Sequence, residues 1–336
     1  MARHSLRFGL WYDFRNPPQW RQDPTVLYRG ILDQIVRAEA LGWDDVWLSE
    51  HHFIEDGYTP SMLALACAIA ARTTRLRIGT SVLLLPLHDP VRVAEDAATV
   101  DVLSGGRLEL GVGVGYRVGE FTGFNIAASE RASRMEEALS LLKRLFAGER
   151  FSHHGRHYHY DDIALFPQPV QRPPKLWVGG FRPPAVRRAA RLGDAYITTG
   201  AAGPLIQLYR SELVKLGRDP DAHEVAAGYL WLLVSRDPER RWQEATQHFA
   251  YQISQYARWF KEAGMLGFEP ATSRAELEAQ GCLILRPEQA IEAIQRYVRD
   301  HLVTRFYGWT LPPGLPPAWS EEHLELMARE VIPACR

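Results

Sequence analysis

Polar side chains gather where predicted strands end and predicted helices begin. The chain reads Trp-Leu-Ser-Glu-His-His-Phe at 47–53, Gly-Thr-Ser-Val-Leu-Leu-Leu-Pro at 79–86 and His-Asp-Pro-Val-Arg-Val-Ala-Glu-Asp at 88–96. Each segment lies between a short apolar run and a run with helical periodicity. Parallel β/α barrels carry their active sites at the carboxyl ends of their strands. The pattern therefore predicts an active site at one end of a barrel.

The dipeptide His51-His52 is the first candidate for acid–base chemistry. Neighbouring side chains in extended backbone point to opposite faces, so only one of the two imidazoles can face the barrel mouth. This disfavours a metal site formed by both. An imidazole at a strand end can serve as a general acid or base near neutral pH. The alternative is that both histidines are bonded into loop structure.

Two glycine-rich segments are candidates for binding an anion. Gly111, Gly113 and Gly115 lie in Leu-Gly-Val-Gly-Val-Gly-Tyr-Arg at 110–117, and Gly-Gly-Phe-Arg-Pro-Pro at 179–184 runs into a helix begun by proline. Glycines let backbone amides approach an anion, and a helix N-terminus attracts negative charge. The dinucleotide-binding motif is disfavoured, because the next clear helix is predicted only near Glu130. The alternative is a barrel corner that requires small residues.

Short apolar segments alternate with helical periodicity along the whole chain, which is typical of β/α units around a parallel sheet. The alternation predicts eight strands and about eight helices, and hence a (β/α)₈ (TIM) barrel with insertions as one domain over 1–336. The predicted strands are Arg7–Trp11, Val46–Leu48, Leu76–Leu83, Leu108–Val112, Leu176–Val178, 195–199, 228–234 and Arg305–Trp309.

The periodicity is lost in two segments, 148–175 and 264–282, which are predicted to be insertions within the barrel. The first contains His153, His154, His157 and His159. Their spacing matches structural zinc sites poorly and no cysteine lies nearby, so a solvated hairpin is favoured over a metal site. An ion pair between Asp101 and Arg107 is predicted to hold the intervening Ser-Gly-Gly turn.

Composition indicates a small-molecule partner. Lys plus Arg number 39 against 40 for Asp plus Glu, a formal net charge of −1, so no overall field attracts nucleic acid or an anionic membrane. The three cysteines, Cys67, Cys282 and Cys335, form no disulfide or metal pattern, which favours a reducing cytoplasm. No segment reaches the ~20 uninterrupted apolar residues of a membrane span, and the N-terminus has no signal-type apolar region.

Taken together, these segments resemble the bacterial luciferase-like flavin monooxygenases. The resemblance covers essentially the whole chain and rests on four ordered blocks: Leu-Gly-Trp-Asp-Asp-Val-Trp-Leu-Ser-Glu-His-His-Phe at 41–53, Ile-Gly-Thr-Ser-Val-Leu-Leu-Leu-Pro at 78–86, Asp-Pro-Val-Arg-Val-Ala-Glu-Asp at 89–96, and Leu-Ser-Gly-Gly-Arg-Leu-Glu-Leu-Gly-Val-Gly at 103–113. The resemblance implies a luciferase-like TIM barrel with insertions, in agreement with the alternation of elements.

The resemblance also implies roles for individual residues. His51 corresponds to the histidine beside the flavin ring, and Ser81–Val82 falls where the family has a cis peptide bond under that ring. At Val114 and Phe181–Arg182 the chain departs from the light-emitting luciferase subunit, so light emission is not implied. The cofactor-binding residues implied are Trp11, Ser81, Val82, Gly113, Val114, Gly115, Tyr116, Arg131, Gly179, Gly180, Phe181 and Arg182.

The activity implied is that of a monooxygenase. Reduced FMN (FMNH₂), supplied by a separate flavin reductase, would activate O₂ as a C4a-peroxyflavin and oxygenate a small organic substrate. The alternatives are a hydride-transferring oxidoreductase that uses the deazaflavin coenzyme, and a non-catalytic flavin-binding protein. A metal-dependent hydrolytic barrel is disfavoured, because no ligand pattern is present.

Two further expectations concern the surface and the pocket. Family members commonly pair, and the Ala-rich run 62–70 is apolar on more than one face, so a homodimer through this helix and that over 88–103 is predicted. Aromatic residues crowd the loops at the predicted barrel mouth, which favours an apolar or aromatic substrate pocket. These residues are Trp11, Tyr12, Phe14, Trp20, Phe53 and Tyr58.

Overall fold

Eight parallel strands of the described chain close into a barrel, as predicted. The computed structural model describes residues 5–200 and 202–336, so the first four residues, which belong to the N-terminal segment discussed above, lie outside it. The ring runs β1-β2-β3-β4-β7-β8-β9-β12 and closes because β12 also pairs with β1. The strands are β1 (Arg7–Tyr12), β2 (Asp45–Leu48), β3 (Arg77–Thr80), β4 (Leu108–Val112), β5 (Phe151–His154), β6 (His159–Ile163), β7 (Leu176–Gly179), β8 (Ala195–Ile197), β9 (Val225–Ala226), β10 (Trp231–Val234), β11 (Cys282–Leu285) and β12 (Arg305–Trp309).

Helices surround the barrel, and local sequence sets their ends. Asp23 and Asp89 each accept two backbone N–H groups and precede a first-turn proline, while Gly42 and Gly105 end the same two helices in the left-handed conformation. No described helix is long and apolar enough to cross a membrane. The helices are α1 (Pro24–Leu41), α2 (Met62–Ala70), α3 (Pro90–Ser104), α4 (Val118–Gly123), α5 (Arg131–Phe146), α6 (Pro183–Leu192), α7 (Gly203–Lys215), α8 (Pro238–Glu262), α9 (Arg274–Ala279), α10 (Pro287–His301), α11 (Glu321–Leu326) and α12 (Ile332–Cys335), with a π-helical segment over Met327–Val331.

A buried ion cluster lies near the amino ends of the strands, opposite the predicted active site. Arg305, which is 1 % exposed, donates to Asp45 and Glu109 at 2.8 Å each and to Glu224 at 3.2 Å. Burial raises the pKa of Asp45 to about 6, whereas Arg305 and Lys175 outweigh burial and lower the pKa of Glu224 to about 2. Losing the arginine would leave the buried Asp45 without its cationic partner, which typically costs ~3–5 kcal/mol, whereas Glu109 and Glu224 would keep Arg77 and Lys175.

Three strand-level features differ from the prediction. The predicted strand 228–234 forms only over Trp231–Val234 as β10, and the ring strand β9 (Val225–Ala226), which precedes this span, was not predicted. Strand β11 was not predicted; it lies at the end of the segment 264–282, pairs with β10 outside the barrel ring, and is only four residues long. The predicted strand Leu76–Leu83 is regular only over Arg77–Thr80.

The segment 148–175 stands apart from the barrel sheet. Its strands β5 and β6 form a separate antiparallel hairpin, which agrees with the solvated hairpin predicted for the histidine cluster. The histidines turn to different partners: His153 to Glu137 at 2.9 Å, and His157 to Ser133 at 2.8 Å. These ring nitrogens therefore do not converge on one point.

The predicted ion pair between Asp101 and Arg107 is wrong. Asp101 accepts from the backbone and side-chain nitrogens of Gln171 at 2.8 and 2.7 Å. Arg107 instead donates to the backbone carbonyls of Ala70, Thr73 and Leu76. A buried guanidinium has five N–H groups to satisfy, and the end of α2 offers a set of carbonyls that one carboxylate does not match.

Candidate active site

A cavity of about 770 Å³ opens at the carboxyl ends of the strands. Trp11 lies near the end of β1, His51 follows β2, Ser81 follows β3 and Gly113 follows β4, so the barrel itself brings these residues together. All thirteen predicted site residues contribute to its wall: Trp11, His51, Ser81, Val82, Gly113, Val114, Gly115, Tyr116, Arg131, Gly179, Gly180, Phe181 and Arg182.

His51 is held by a carboxylate that the sequence analysis did not single out. Its Nδ1 lies 2.8 Å from Oε1 of Glu120, which also accepts from the backbone N–H of His52 at 2.9 Å and from Arg117 at 3.0 Å. Burial opposes ionisation of Glu120, but the His51 ring, the amide and Arg117 outweigh it and lower the pKa of the carboxyl. An ionised carboxylate only accepts, so Nδ1 carries the proton and Nε2 is the nitrogen left for chemistry.

The Nε2 edge of the His51 ring faces the cavity. Nε2 lies 3.4 Å from the hydroxyl of Tyr116, and the ring packs edge-on against Tyr58 at 4.7 Å between centroids. Burial raises the pKa of Tyr116 well above its usual value, so this hydroxyl remains protonated. One ligand oxygen can therefore contact both Nε2 of His51 and the hydroxyl of Tyr116.

Glu120 lies on α4, a helix of six residues that was not predicted. The segment between Gly115 and Glu130 shows no apolar periodicity, and α4 contains Gly119 and Gly123. The prediction that no helix begins before Glu130 was therefore wrong. The carboxylate of Glu120, close to Tyr116 in the loop that follows β4, was the one available signal.

His52 points away from the cavity, as the alternation of strand side chains requires. Its Nε2 lies 2.7 Å from Oε1 of Glu50, and Nε2 of His88 lies 2.7 Å from the same oxygen, while Leu84 N–H donates to the second oxygen at 2.6 Å. These hydrogen bonds outweigh burial and lower the pKa of Glu50 to about 2, and Glu50 in turn raises the pKa of His88. The cluster joins the loops that follow β2 and β3.

The side chains of Glu50, His52 and His88 also have ligand atoms close enough together to suit a metal ion. The two imidazoles already donate to the carboxylate, however, and its other oxygen is used by a backbone amide. The hydrogen bonds within the cluster thus use both oxygens of Glu50, and they link the loops that follow β2 and β3.

The floor of the cavity is formed by the peptide Ser81–Val82, which is cis, as the resemblance implied. Val82 projects between the ends of β4 and β7, where a Cβ added to Gly113 or Gly179 would lie only 2.4 or 2.6 Å from its methyl groups. Ser81 Oγ lies 3.1 Å from the hydroxyl of Tyr307. Both glycines are thus required by packing against Val82.

The two glycine segments lie side by side, because β4 pairs with β7 in parallel register. The sequence analysis expected free N–H groups at the start of α6 to bind an anion, and this expectation was wrong. Helix α6 begins with Pro183 and Pro184, which have no N–H, and Ala185 N–H is already bonded to the carbonyl of Arg182 at 2.9 Å. Anion binding here must rely on loop amides, on Arg182 and on the helix dipole.

The wall around His51 is aromatic. Tyr58 hydroxyl contacts Ser49 Oγ at 2.9 Å and Tyr256 hydroxyl at 2.8 Å, and Tyr256 packs against Trp309 and Phe268. The residues that line the cavity from α8, from its C-cap Ala263 and from the segment 264–282 were not predicted: Tyr256, Phe260, Ala263, Met265, Leu266, Gly267, Phe268, Glu278, Ala279, Gln280 and Gly281.

Only part of the predicted aromatic mouth contributes. Trp11 and Tyr58 line the cavity. Tyr12 and Phe14 are buried in the core, and Trp20 packs on His248. Phe53 is 66 % exposed and lines a smaller groove elsewhere.

Three buried polar atoms of residues that line the cavity have no hydrogen-bond partner among the described residues. They are Nε1 of Trp11, Nε1 of Trp309 and Oγ1 of Thr198. A buried N–H without a partner costs ~1–3 kcal/mol, so ligand acceptors at these points would be favourable. A flat heteroaromatic ring with carbonyl groups fits this set of donors, and Arg131 and Arg182 fit an anionic side chain on it.

Comparison with known proteins agrees with the fold. Residues 6–304 match the model of the luciferase-like monooxygenase family. The chain belongs to this family and is an oxidoreductase.

Similar proteins include both dehydrogenases and monooxygenases. The F420-dependent glucose-6-phosphate dehydrogenase of Microbacterium testaceum is 31 % identical over 333 residues, covering 91 % of this chain and 93 % of the relative. The monooxygenase RslO1 from Streptomyces bottropensis is 25 % identical with a TM-score of 0.83 and covers 98 % of this chain and 99 % of that one. An F420-dependent secondary alcohol dehydrogenase shares the fold at 20 % identity, with a TM-score of 0.77 and 99 % of each chain covered.

Proposed function

We propose that this chain transfers hydride between the deazaflavin coenzyme F420 and an alcohol or carbonyl substrate. The observation that carries the proposal is the position of His51, whose Nε2 faces the cavity while Nδ1 is fixed by Glu120. The long match to an F420-dependent dehydrogenase supports the coenzyme. This reverses the order of the sequence-based reading, in which FMN came first and the deazaflavin second.

In this proposal the coenzyme accepts or supplies the hydride, and the side chains handle the proton. When an alcohol is oxidised, Nε2 of His51 takes the hydroxyl proton as the C–H hydride leaves, and Glu120 stabilises the imidazolium that results. Tyr116 donates to the same oxygen and fixes its position. The aromatic wall excludes water from the reacting atoms.

The remaining predicted site residues are assigned to the coenzyme. The ring would lie on the Ser81–Val82 peptide, within reach of the indole N–H of Trp11. The phosphate and its anionic extension would lie along the loops 113–116 and 179–182, close to Arg131 and Arg182. Val114, Gly115, Gly180 and Phe181 would then contribute backbone contacts.

The test is an anaerobic titration of the purified protein with oxidised F420, oxidised FMN and FMNH₂. We expect F420 to bind at least ~10-fold more tightly than either flavin, equivalent to ~1.4 kcal/mol. His51→Ala should bind F420 normally, which separates binding from chemistry. Tighter binding of FMNH₂ than of F420 would contradict the proposal.

The second candidate is the FMN-dependent monooxygenase, with a separate flavin reductase as partner. The likeness to RslO1 over nearly the whole chain favours it. The FMNH₂ complex is mixed with isotopically labelled O₂ and a ketone, and label in the product would identify a monooxygenase. A non-catalytic flavin-binding protein, the third alternative, would have no need of the pair formed by His51 and Glu120.

A further inference from the structure

The chemistry of the substrate can be inferred from the wall around His51. Trp11 stacks on Trp309 with ring centroids 4.0 Å apart, and Trp309 contacts Tyr256 at 5.5 Å. Phe268 packs against Tyr256 and Phe260 at 5.2 and 4.9 Å. Together with Tyr58 and Tyr116, these rings form a continuous apolar surface beside Nε2 of His51, which we call the aromatic wall.

Among the described residues no arginine or lysine lines the cavity at the aromatic wall; Arg15 packs over the Tyr58 ring at 5.0 Å, but it pairs with Asp56 and does not line the cavity. Among the described lining residues the arginines are Arg131 and Arg182, and no lysine lines the cavity. Arg131 and Arg182 belong to the segments assigned above to the coenzyme phosphate. His301, the remaining basic side chain besides His51, packs edge-on against Tyr297 at 4.5 Å on a different element, α10.

The acidic side chains near His51 make this part of the cavity still less suited to an anionic group. Glu50 and Glu278 both line the cavity, and Glu120 lies directly behind His51. A phosphate monoester carries about two negative charges at neutral pH, and burying it without a cationic partner is strongly unfavourable. A sugar phosphate placed with its hydroxyl at His51 would therefore find no site for its phosphate.

We propose that the substrate is an uncharged apolar molecule with one hydroxyl or carbonyl group, and that a phosphorylated sugar is excluded. The proposal rests on the function proposed above. The substrate oxygen contacts Nε2 of His51 and the hydroxyl of Tyr116, and the hydrocarbon part of the substrate lies on the aromatic wall. In the oxidative direction the substrate C–H pair leaves as hydride to the oxidised deazaflavin, the O–H proton goes to His51, and a C=O bond forms.

The test measures by calorimetry how tightly two probes bind to the F420 complex: acetophenone, an uncharged aromatic ketone, and glucose 6-phosphate, a sugar phosphate. We expect acetophenone to bind at least ~10-fold more tightly. Equal or tighter binding of glucose 6-phosphate, or no binding of acetophenone, overturns the proposal. The comparison is repeated with the FMN complex and the free protein, so that failure of F420 to bind counts against the proposed function and not against the substrate class.

Two variants sharpen the result. Phe268→Arg places a cation in the aromatic wall and should weaken acetophenone binding by at least ~10-fold while improving binding of glucose 6-phosphate. Leu216→Arg makes a similar change at the C-terminal end of α7, on a half-exposed side chain outside the cavity, and should change neither affinity. Identical behaviour of the two variants would show that the aromatic wall does not select the ligand. If Phe268→Arg does not fold, Phe268→Leu should still weaken acetophenone binding through lost aromatic contact.

Discussion

Nδ1 of His51 and Oε1 of Glu120 lie 2.8 Å apart, although the two residues are separated by 69 positions and belong to different β/α units. Both side chains are buried, and the carboxylate is kept ionised by three donors. The pairing fixes which imidazole nitrogen faces the cavity. It therefore connects the short helix α4 directly to the proposed proton transfer.

Replacing His51 with alanine should lower kcat by ~10²-fold or more with little loss of stability, because the group that moves the proton is removed. Steady-state kinetics and thermal unfolding measure the two effects. His52→Ala is the control, since His52 points to Glu50 and away from the cavity. Equal losses of kcat in both variants at unchanged stability would mean that His51 has no special role.

Glu120→Gln should lower kcat by about ten- to a hundredfold while preserving the shape of the site. The carbonyl oxygen of a glutamine can replace Oε1 and accept from Nδ1 of His51, the amide of His52 and Arg117, but it is uncharged and no longer stabilises the imidazolium. F420 affinity should be unchanged, which a fluorescence titration can verify. A variant with normal kcat would rule out a positioning role for Glu120.

The cluster around Glu50 should make stability depend on pH in a defined way. The pKa of Glu50 is lowered from 4.5 to about 2, so its contribution, on the order of 3 kcal/mol, is present above the unfolded pKa and lost as pH falls from ~5 to ~2. The pKa of His88 is raised, so its contribution is present below its ordinary value of 6.5 and is lost as pH rises through the folded pKa.

Urea unfolding from pH 3 to pH 6 tests the contribution of Glu50. Glu50→Gln should show a shallower rise of the unfolding free energy with pH than the unmodified protein. Glu95→Gln, a change on the exposed face of α3, serves as the control. Parallel curves for all three proteins would contradict the assignment.

The proposed phosphate site predicts that coenzyme affinity depends on the phosphate. FMN should bind at least ~10-fold more tightly than riboflavin, and Arg182→Ala should remove most of the difference. Arg187→Ala, at an exposed position of the same helix that does not line the cavity, should leave it intact. Arginine is a better choice than Gly180, because a Cβ there would meet the Cβ of Ala185 at 2.3 Å and displace α6 itself.

The homodimer remains a prediction. Val102 and Leu103 on α3 are 44 % and 54 % exposed, and Leu63 and Leu65 on α2 are partly exposed. Contact between α2 and α3 places these side chains on one side of the barrel. Light scattering at micromolar concentration should give twice the mass of one chain for the unmodified protein. The Leu103→Glu variant should give the mass of a single chain. A monomeric unmodified protein would contradict the prediction.

Sequence periodicity was sufficient for the barrel but not for the pairs that complete its site. Apolar runs and capping residues predict seven of the eight ring strands and most helices, because each signal lies within one element. Strands β9 and β11 and helix α4 were missed: β9 has only two residues, β11 begins at the end of the segment predicted as an insertion, and the six residues of α4 include two glycines. Tyr256 reaches Tyr58 across 198 positions, a contact that no local pattern encodes.

Val82 also makes three separated positions of the chain interdependent. Its two methyl groups fill the space that a side chain at Gly113 or at Gly179 would need. An alanine at either glycine is therefore excluded while valine is present. We therefore expect substitutions in this cavity floor to begin at position 82. A smaller residue there would make room for side chains at the ends of β4 and β7, and these side chains would then change the surface beneath the coenzyme. Packing thus sets the order of the steps.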